Sequence, residues 1–386
     1  MRRSPANPRV LRGLARLDRL GADRFRSFDT EIEVQFPDDR VIGQLWSRDD
    51  GRWVAIGDAF GRIRLSRDAP VRFENDWRGF GDDDDRFLEQ IPTLSAVRLS
   101  GSAISDDMLA RLPVLSELRS LAIQFAPISD RGIAALGALP ELVELNLRTR
   151  GLSDAGMQTI GGLRNLRRLE LARAAITDVG IAELRGLREL RHVNLRSTAL
   201  SDDGLVWLTQ ADQLRSLNLW WTGVSDDGLA QLRAFPSLRS LNLGGTAVTN
   251  AGLVALQSLP RLRQLDLHGV AVDDAGIRLL ASMVELRSLS LARTGVSDAG
   301  LASLCQLPHL QELDLSRTAV GVEGLRGLVT LPDLVTLSLT HTDIGDDAVD
   351  LLGNMPSLET LGVQGSRMTR AGLARLHERL PHIAFS

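Results

Sequence analysis

Residues 214–237 read LRSLNLWWTGVSDDGLAQLRAFPS, and this pattern decides the fold because it recurs every 24 residues. With the first leucine taken as position 1, apolar residues occupy positions 1, 4, 6, 11, 16, 19 and 22. Leucine fills position 1 without a change of register at residues 94, 118, 142, 166, 190, 214, 238, 262, 286, 310, 334 and 358. Self-similarity at a fixed period predicts a solenoid of twelve stacked repeats.

The spacing within each repeat predicts one short strand and one short helix. Leu217 and Leu219 alternate with polar neighbours, which is typical of a strand with one buried face. Leu229, Leu232 and Phe235 are spaced by three, which indicates a helical turn. Stacking places the strands about 4.8 Å apart in a parallel sheet on the concave side. Twelve strands predict an inner arc of roughly 50–60 Å, long enough for a protein partner.

A polar corner joins the strand to the helix. Position 12 is Ser or Thr in nine repeats, as in Ser225, and a hydroxyl there suits a helix N-cap. Position 13 is usually Asp, as in Asp226. Its negative charge in the first turn interacts favourably with the helix dipole. Position 15 is Gly in ten repeats, as in Gly228. We expect this glycine to allow close approach of the neighbouring coil.

The pattern LxxLxLxxTxVSDxGLxxLxxLP resembles leucine-rich repeats of a type frequent in bacterial proteins. Its Ser/Thr-Asp-x-Gly-Leu corner is similar to the repeats of F-box substrate adaptors. The resemblance covers about three quarters of the chain and departs from the commonest pattern at position 9, where Thr222 replaces Asn or Cys. It implies an α/β solenoid with a curved parallel sheet on the concave side and short helices on the convex side.

Four segments make up the predicted domain organisation. Residues 1–69 contain a predicted helix over 8–21 and strand candidates over 32–36, 41–46, 52–56 and 62–65, forming either a cap or a small domain. Residues 70–93 are a degenerate capping repeat in which Phe73, Leu88 and Ile91 fall on core positions. Residues 94–381 hold the twelve repeats, and residues 382–386 form a C-terminal cap strand. Caps are expected because an open solenoid exposes its apolar ends.

The composition bears on the partners of the protein and on its cellular compartment, which we expect to be reducing. The net charge of −4 gives no general reason to expect nucleic acid or an anionic membrane as partner. No apolar run approaches the ~18 residues needed to cross a bilayer. Arg12, Arg16, Asp18 and Arg19 interrupt what would be the core of an export signal. Because Cys305 is the single cysteine, no intrachain disulfide forms, and we expect a cytoplasmic protein. The sequence does not indicate the oligomeric state.

The sequence lacks the signatures of common catalytic sites. It contains no Walker loop, GxGxxG, GxSxG or HExxH, and its histidines have no metal-binding spacing. We therefore expect no catalytic residue, no cofactor and no metal. The alternative of calcium bound by the corner aspartates is less favoured because calcium needs six or more converging oxygens. The acidic run at residues 82–85 could suggest a metal site, but a solvated loop is the favoured interpretation.

Position 2 carries a series of arginines at the start of the strands. The series comprises Arg119, Arg167, Arg191, Arg215, Arg239, Arg263 and Arg287. A nucleic-acid track is one interpretation, but Glu and Asp residues are interspersed, and phosphate binding requires basic surface without competing acids. A solvated rim is the favoured interpretation.

The fifth to eighth repeats carry an unusual set of residues on the sheet. Side chains at positions 3, 5 and 7 point away from the core by strand alternation. Trp and Arg dominate interface hot spots, and Gly244 and Gly245 leave room beside the two tryptophans. Arg196 and Trp220 both occupy position 7, about one strand spacing apart, so we expect the guanidinium to stack on the indole. The predicted partner site comprises Arg196, Trp220, Trp221, Asn194, Asn218, Asn242, Asp266 and His268. The alternative is that one tryptophan merely packs along the sheet edge.

These observations predict a non-catalytic scaffold that holds a protein or peptide on the concave face. The alternative is a substrate-selecting adaptor or regulatory subunit, in which residues 1–69 bring an enzyme to the bound protein.

Reduction is expected to leave the stability unchanged, because one cysteine offers no intrachain bridge. The measurement is thermal unfolding at low protein concentration with and without dithiothreitol. A large shift in Tm would contradict the expectation.

Overall fold

The computed structural model describes residues 31–49, 52–66, 69–75, 84–91 and 93–385. The strands in these residues are β1 Glu31–Gln35, β2 Gly43–Asp49, β3 Arg52–Asp58, β4 Arg62–Ser66, β5 Val71–Asn75, β6 Leu94–Ser100, β7 Ser120–Gln124, β8 Glu144–Arg148, β9 Arg168–Glu170, β10 His192–Asn194, β11 Ser216–Asn218, β12 Ser240–Asn242, β13 Gln264–Asp266, β14 Ser288–Ser290, β15 Glu312–Asp314, β16 Thr336–Ser338, β17 Thr360–Gly362 and β18 Ala384–Phe385.

Short helices alternate with these strands. The α-helices are Asp106–Leu109, Asp130–Ala134, Asp154–Gly162, Asp178–Ile181, Asp202–Leu205, Asp226–Leu229, Asp274–Leu280, Asp298–Leu304, Val322–Leu328, Val349–Leu352 and Arg370–Arg379. The 3-10 helices are Asp84–Gln90, Leu112–Val114, Ala135–Ala138, Ala182–Gly186, Val206–Leu208, Ala230–Ala234, Gly252–Ser258 and Asp346–Ala348.

A single long sheet runs through the described repeats. Strands β5 to β18 lie side by side in chain order and pair in parallel, one strand for each coil. Two antiparallel strands, β2 and β3, extend this sheet beyond β5, while β1 and β4 form a separate antiparallel pair. The predicted fold class, an α/β solenoid with an antiparallel N-terminal region, is confirmed.

Leucines from neighbouring coils form one continuous core. Leu217 and Leu219 of the strand and Leu229, Leu232 and Phe235 of the helical side are all buried, as the spacing predicts. Each fully buried leucine contributes about 2 kcal/mol of transfer free energy. A single coil cannot provide this burial, so each repeat depends on its neighbours.

The described N-terminal strands continue the solenoid sheet. β2 pairs with β5, and β5 pairs with β6, so backbone hydrogen bonds run unbroken from β3 into the repeats. Phe36, Phe73 and Phe87 pack together beneath these strands, with ring centroids 5.1 and 4.5 Å apart. This arrangement fits a cap, although the predicted domain boundaries stay a prediction. The predicted helix over 8–21 and the side chains of the acidic run at 82–85 lie outside the described residues.

The C-terminal end is covered by the two-residue strand β18. Its Ala384 pairs in parallel with Thr360 of β17. Ile383 just before it is buried, whereas Phe385 is 42% exposed. The strand adds one further rung to the sheet at this end.

A ladder of corner residues connects successive coils. The Oδ1 atom of Asp202 accepts a hydrogen bond from the backbone N–H of Ser225 at 2.7 Å, and its Oδ2 accepts one from the Ser225 hydroxyl at 2.5 Å. The same two bonds occur in the pairs Asp106–Ser129, Asp130–Ser153, Asp154–Thr177, Asp178–Ser201, Asp226–Thr249, Asp274–Ser297 and Asp346–Thr369. Position 13 therefore bonds the following coil, in addition to the predicted interaction with its own helix.

The glycine at position 15 provides the space for this carboxylate. A Cβ atom on Gly228 would lie 2.2 Å from the Oδ1 of Asp202. The expected close approach of the neighbouring coil is thus confirmed. The group that approaches Gly228 is the carboxylate of Asp202 in the preceding repeat. Ser225 also caps its own helix, because its hydroxyl accepts a bond from the N–H of Asp227.

One step of the ladder has exchanged donor and acceptor. Asn250 occupies position 13, and Asp273 replaces the usual Ser or Thr of the next coil. The Asn250 amide donates to Asp273 Oδ1 at 2.7 Å, and its oxygen accepts from the Asp273 N–H at 3.1 Å. Bonds from the N–H of Ala275 and from Asn250 lower the pKa of Asp273 below its usual range. Both inter-coil bonds are kept, with the polarity of the side-chain bond reversed.

Substitutions in the ladder are expected to be non-additive. Asp202→Ala should cost about 2 kcal/mol of unfolding free energy, because two charge-assisted hydrogen bonds are lost. Gly228→Ala should cost about 1–3 kcal/mol through overpacking. The double variant should lose clearly less than the sum, since the shortened side chain in place of Asp202 leaves space for the new methyl group.

Urea unfolding of the four proteins measures this coupling. The matched control is Asp203→Ala, which removes the adjacent exposed carboxylate and should change stability by less than about 0.5 kcal/mol. Strict additivity, or an equal loss in the control, would show that the ladder does not stabilise the stack.

Candidate partner-binding site

The predicted site residues lie on four adjacent strands, β10 to β13. Asn194, Asn218, Asn242 and Asp266 align directly across the sheet. Three strand spacings separate the first from the last, which is about 14 Å. Positions 7 and 8 follow two and three residues later, so the structure brings all eight predicted residues into one neighbourhood.

The amide and carboxylate side chains at position 5 hold the backbone of the same coil in place. The Oδ1 atom of Asn218 accepts a hydrogen bond from the backbone N–H of Trp220 at 2.9 Å. Asn194, Asn242 and Asp266 hold the N–H two residues on in the same way. Asn242 also donates to Asp266 at 2.7 Å. These residues thus fix the backbone at position 7, and their oxygens are already engaged.

Trp220 is layered between an arginine and a glycine. The Cζ atom of Arg196 lies 4.0 Å from the centroid of the Trp220 ring, as the predicted stacking requires. A Cβ atom on Gly244 would lie 2.5 Å from Trp220 Cδ1, so the indole covers the next strand only because that residue is glycine. The Nε atom of Arg196 is buried and has no hydrogen-bond partner among the described residues. The indole face is therefore a main contact of this guanidinium.

Trp221 is exposed and held in an unusual backbone conformation. Its side chain is 65% exposed, and its ring centroid lies 5.0 Å from that of Trp220. Its φ of +53° lies in the left-handed region, which is disfavoured for a bulky residue. Position 8 adopts this region in eleven of the twelve repeats, with glycine in four of them, as in Gly245. The coil geometry thus imposes the conformation, and the tryptophan is tolerated there.

A second aromatic site, which the sequence analysis missed, lies at the ends of strands β7 to β9. Phe125 is 68% exposed, also at position 8 and at a φ of +56°. It borders an open cavity of about 470 Å³ with an apolar floor that includes Ala126 and Ala172. Arg148, Arg150 and Arg173 are the charged residues of its lining. The sequence offered one signal for this site, which is an aromatic residue at position 8 with arginines at positions 7 to 9 of the next two repeats.

A second cavity lies at the opposite edge of the sheet, where the strands begin, and is lined mainly by polar and charged residues. A cavity of about 200 Å³ is lined by Arg239, Arg263 and Arg287 of the position 2 series, together with Glu312. Arg263 also lies 3.4 Å from Glu285. Glu285 and Glu312 therefore lie among the arginines of this edge, and a solvated rim stays the favoured interpretation.

His192 on the exposed side of β10 stays neutral over a wider pH range than a free histidine. Partial burial lowers its pKa, and the charges of Arg168 and Arg215 lower it further. His192 therefore contributes less positive charge to this part of the sheet than a free histidine would.

Other candidate chemistries find little support in the described part of the chain. No group of three or more His, Cys, Asp or Glu side chains is placed there to hold a metal ion. Cys305 is half-buried, and burial raises the pKa of its thiol, which disfavours a reactive thiolate. Within these same residues, no helix combines the length and apolar character required to span a bilayer.

Sequence comparison points to one repeat family. The family model described as leucine-rich repeat matches residues 162–184, 236–256, 306–329 and 330–353. No curated protein sequence matches the chain.

Solved structures share the fold at low sequence identity. An internalin from Listeria monocytogenes is 21% identical, over 78% of this chain and 88% of its own, with a TM-score of 0.56. A chain of the mouse RP105/MD-1 complex is 18% identical, over 77% of this chain and 51% of its own, with a TM-score of 0.57. A chain of the TLR13–ssRNA13 complex is 16% identical, over 91% of this chain and 50% of its own, with a TM-score of 0.53. This chain thus matches about half the length of the last two.

Backbone strain at Trp221 gives a stability prediction. Trp221→Gly should be more stable than Trp221→Ala by about 1 kcal/mol, because only glycine adopts the left-handed region without cost. At Trp220, which has no positive φ, alanine should be the more stable of the two replacements. Urea unfolding of the four variants gives both comparisons. If alanine is at least as stable as glycine at residue 221, position 8 is not strained.

Proposed function

The chain is a leucine-rich-repeat protein, and we propose that it is a non-catalytic scaffold holding a protein or peptide partner on the exposed side of its sheet. Trp220, Trp221, Arg196 and Asn218 form the proposed centre, with Asn194, Asn242, Asp266 and His268 around it. The observation that carries the proposal is the exposed Trp221 beside a Trp220 whose ring stacks with Arg196.

Folding does not account for this pair of tryptophans. The core is already filled by the buried leucines of each coil, and neither ring belongs to it. Trp221 occupies a backbone position that disfavours large residues. Exposed aromatic surface also promotes unwanted association unless a partner covers it. Tryptophan beside arginine is the composition of an interface hot spot.

The related structures are compatible with this function without defining it. Chains of similar fold occur in the RP105/MD-1 and TLR13–ssRNA13 complexes. The likeness to them is one of fold, so the support for a protein partner comes from the side chains of this chain. We also propose a reducing, cytoplasmic location, because Cys305 is the single cysteine.

An adaptor function is the second candidate. In that case residues 1–69 recruit an enzyme while the repeats select its substrate. The pairing of β2 with β5 supports a capping role for the described part of this segment, so we rank simple binding first. If residues 1–93, tested against the full chain in a pull-down, alone capture an enzyme subunit, the adaptor function gains.

Replacing Trp220 should weaken partner binding without unfolding the chain. A partner is captured with the full chain as bait, purified and titrated against wild type and Trp220→Ala. We expect at least a tenfold loss of affinity, since truncating a hot-spot tryptophan costs about 2 kcal/mol or more. Trp221→Gly is the second variant, because it removes the ring without backbone strain.

The matched control is Trp207→Ala. Trp207 is 38% exposed on a helical turn of the preceding repeat, away from the sheet, and its loss should change the affinity by less than about twofold. Circular dichroism verifies that each variant is folded. Unchanged affinity in both site variants, or an equal effect of the control, would show that the tryptophan pair is not the binding site.

A further inference from the structure

Two exposed aromatic residues occupy equivalent places four repeats apart. Phe125 and Trp221 both lie at position 8, directly after a strand, and both adopt the left-handed backbone conformation. Four strand spacings separate them, which is about 19 Å. This distance corresponds to about six residues of an extended peptide.

Arginines fill the interval between these aromatic residues. Arg148, Arg150 and Arg173 line the cavity beside Phe125, and Arg196 stacks on Trp220. We call the seven residues the strand-end strip: Phe125, Arg148, Arg150, Arg173, Arg196, Trp220 and Trp221.

The positive charge of this strip is not neutralised within the fold. In the described segments, none of its four arginines lies within 4.0 Å of a carboxylate. At the opposite edge, two of the seven position 2 arginines are paired with carboxylates, since Arg167 lies 4.0 Å from Glu189 and Arg263 lies 3.4 Å from Glu285. Charges that a stable fold leaves uncompensated on one edge are available to a ligand of opposite charge.

We propose that the strand-end strip binds an extended acidic protein segment. One apolar side chain of that segment enters the cavity beside Phe125, carboxylates pair with Arg148 and Arg173, and a second apolar side chain packs on Trp221. This inference rests on the proposed function, because it names the chemistry of the partner held at the tryptophan pair. It extends that site, which begins in the fifth repeat, by three repeats toward the N-terminus.

Contacts on Trp220 and Phe125 leave fewer free aromatic faces for base stacking, so we favour a peptide over a single-stranded nucleic acid. Stacking of bases requires free aromatic faces. One face of Trp220 is covered by Arg196, and the ring rests on Gly244. The guanidinium of Arg148 lies 5.4 Å from the centroid of Phe125. The alanines of the cavity floor have no side-chain group to hydrogen-bond a base edge, whereas they suit an aliphatic or aromatic side chain.

Peptide display against the immobilised full chain tests the inference. The probe is a fully randomised dodecapeptide library, with a pool of random single-stranded RNA dodecamers as the second arm. We expect enriched peptides to carry Asp or Glu between two apolar residues about six positions apart. Enrichment of basic or uncharged peptides, absence of enrichment, or tighter binding of RNA than of peptides would each overturn the proposal.

Charge variants then locate the binding on the chain. Arg148→Gln and Arg173→Gly should each lower the affinity for an enriched acidic peptide at least fivefold, and the double variant should lower it further. The matched control is Arg293→Gly, since Arg293 occupies the same position 8 with a φ of +58° but lies outside the strip. An equal effect of the control would mean that the peptide responds to net charge alone, and would overturn the site.

The inference and the proposed function fail separately. If a captured protein partner depends on Trp220 but not on Arg148 or Arg173, the acidic-segment inference is wrong and the scaffold function stands. If the partner is insensitive to Trp220 as well, the proposed binding site itself is wrong.

Discussion

A carboxylate that reaches from one coil into the next is the constraint on which this solenoid depends. Asp202 holds both the backbone N–H and the hydroxyl of Ser225, and Gly228 leaves the space that its oxygen occupies. The three residue types occur together at most steps between coils, which explains the recurring corner. The exchange at Asn250 and Asp273 follows the same rule, because both members changed and both bonds were kept. The burial of leucine drives stacking, and the corner sets where each coil sits on its neighbour.

Precise stacking has a consequence for the exposed side of the sheet. Equivalent positions of successive repeats line up in columns one strand apart, so residues 24 apart in sequence become neighbours. Arg196 therefore meets Trp220, and Trp220 meets Gly244. Position 8 forms a column in which the chain turns through the left-handed region and side chains project past the strand ends. Residues that do not contribute to the core can vary there, and this is where the exposed aromatic and uncompensated basic residues collect.

Much of the fold could be predicted because periodicity determines which side chains face inward. The burial of Leu217, Leu219 and Leu229 followed from spacing alone. The stacking of Arg196 on Trp220 followed from the same register. Other contacts could not be read from the pattern, because spacing does not specify which donor a polar side chain will choose. The bond from the Trp220 N–H to Asn218, and the inter-coil bonds of Asp202, emerged only from the structure. The cavity beside Phe125 is assembled from several repeats at positions beyond the alternating strand, where the period of two no longer applies.

We propose that partners bind along the strand ends and the exposed side of the sheet. Hydrogen–deuterium exchange of the full chain, with and without a captured partner, tests it most directly. We expect protection in peptides covering residues 120–126, 144–150, 192–198 and 216–222, with little change on the helical side at residues 130–138 and 226–234. Protection confined to the helical side, or to residues 31–75, would contradict it.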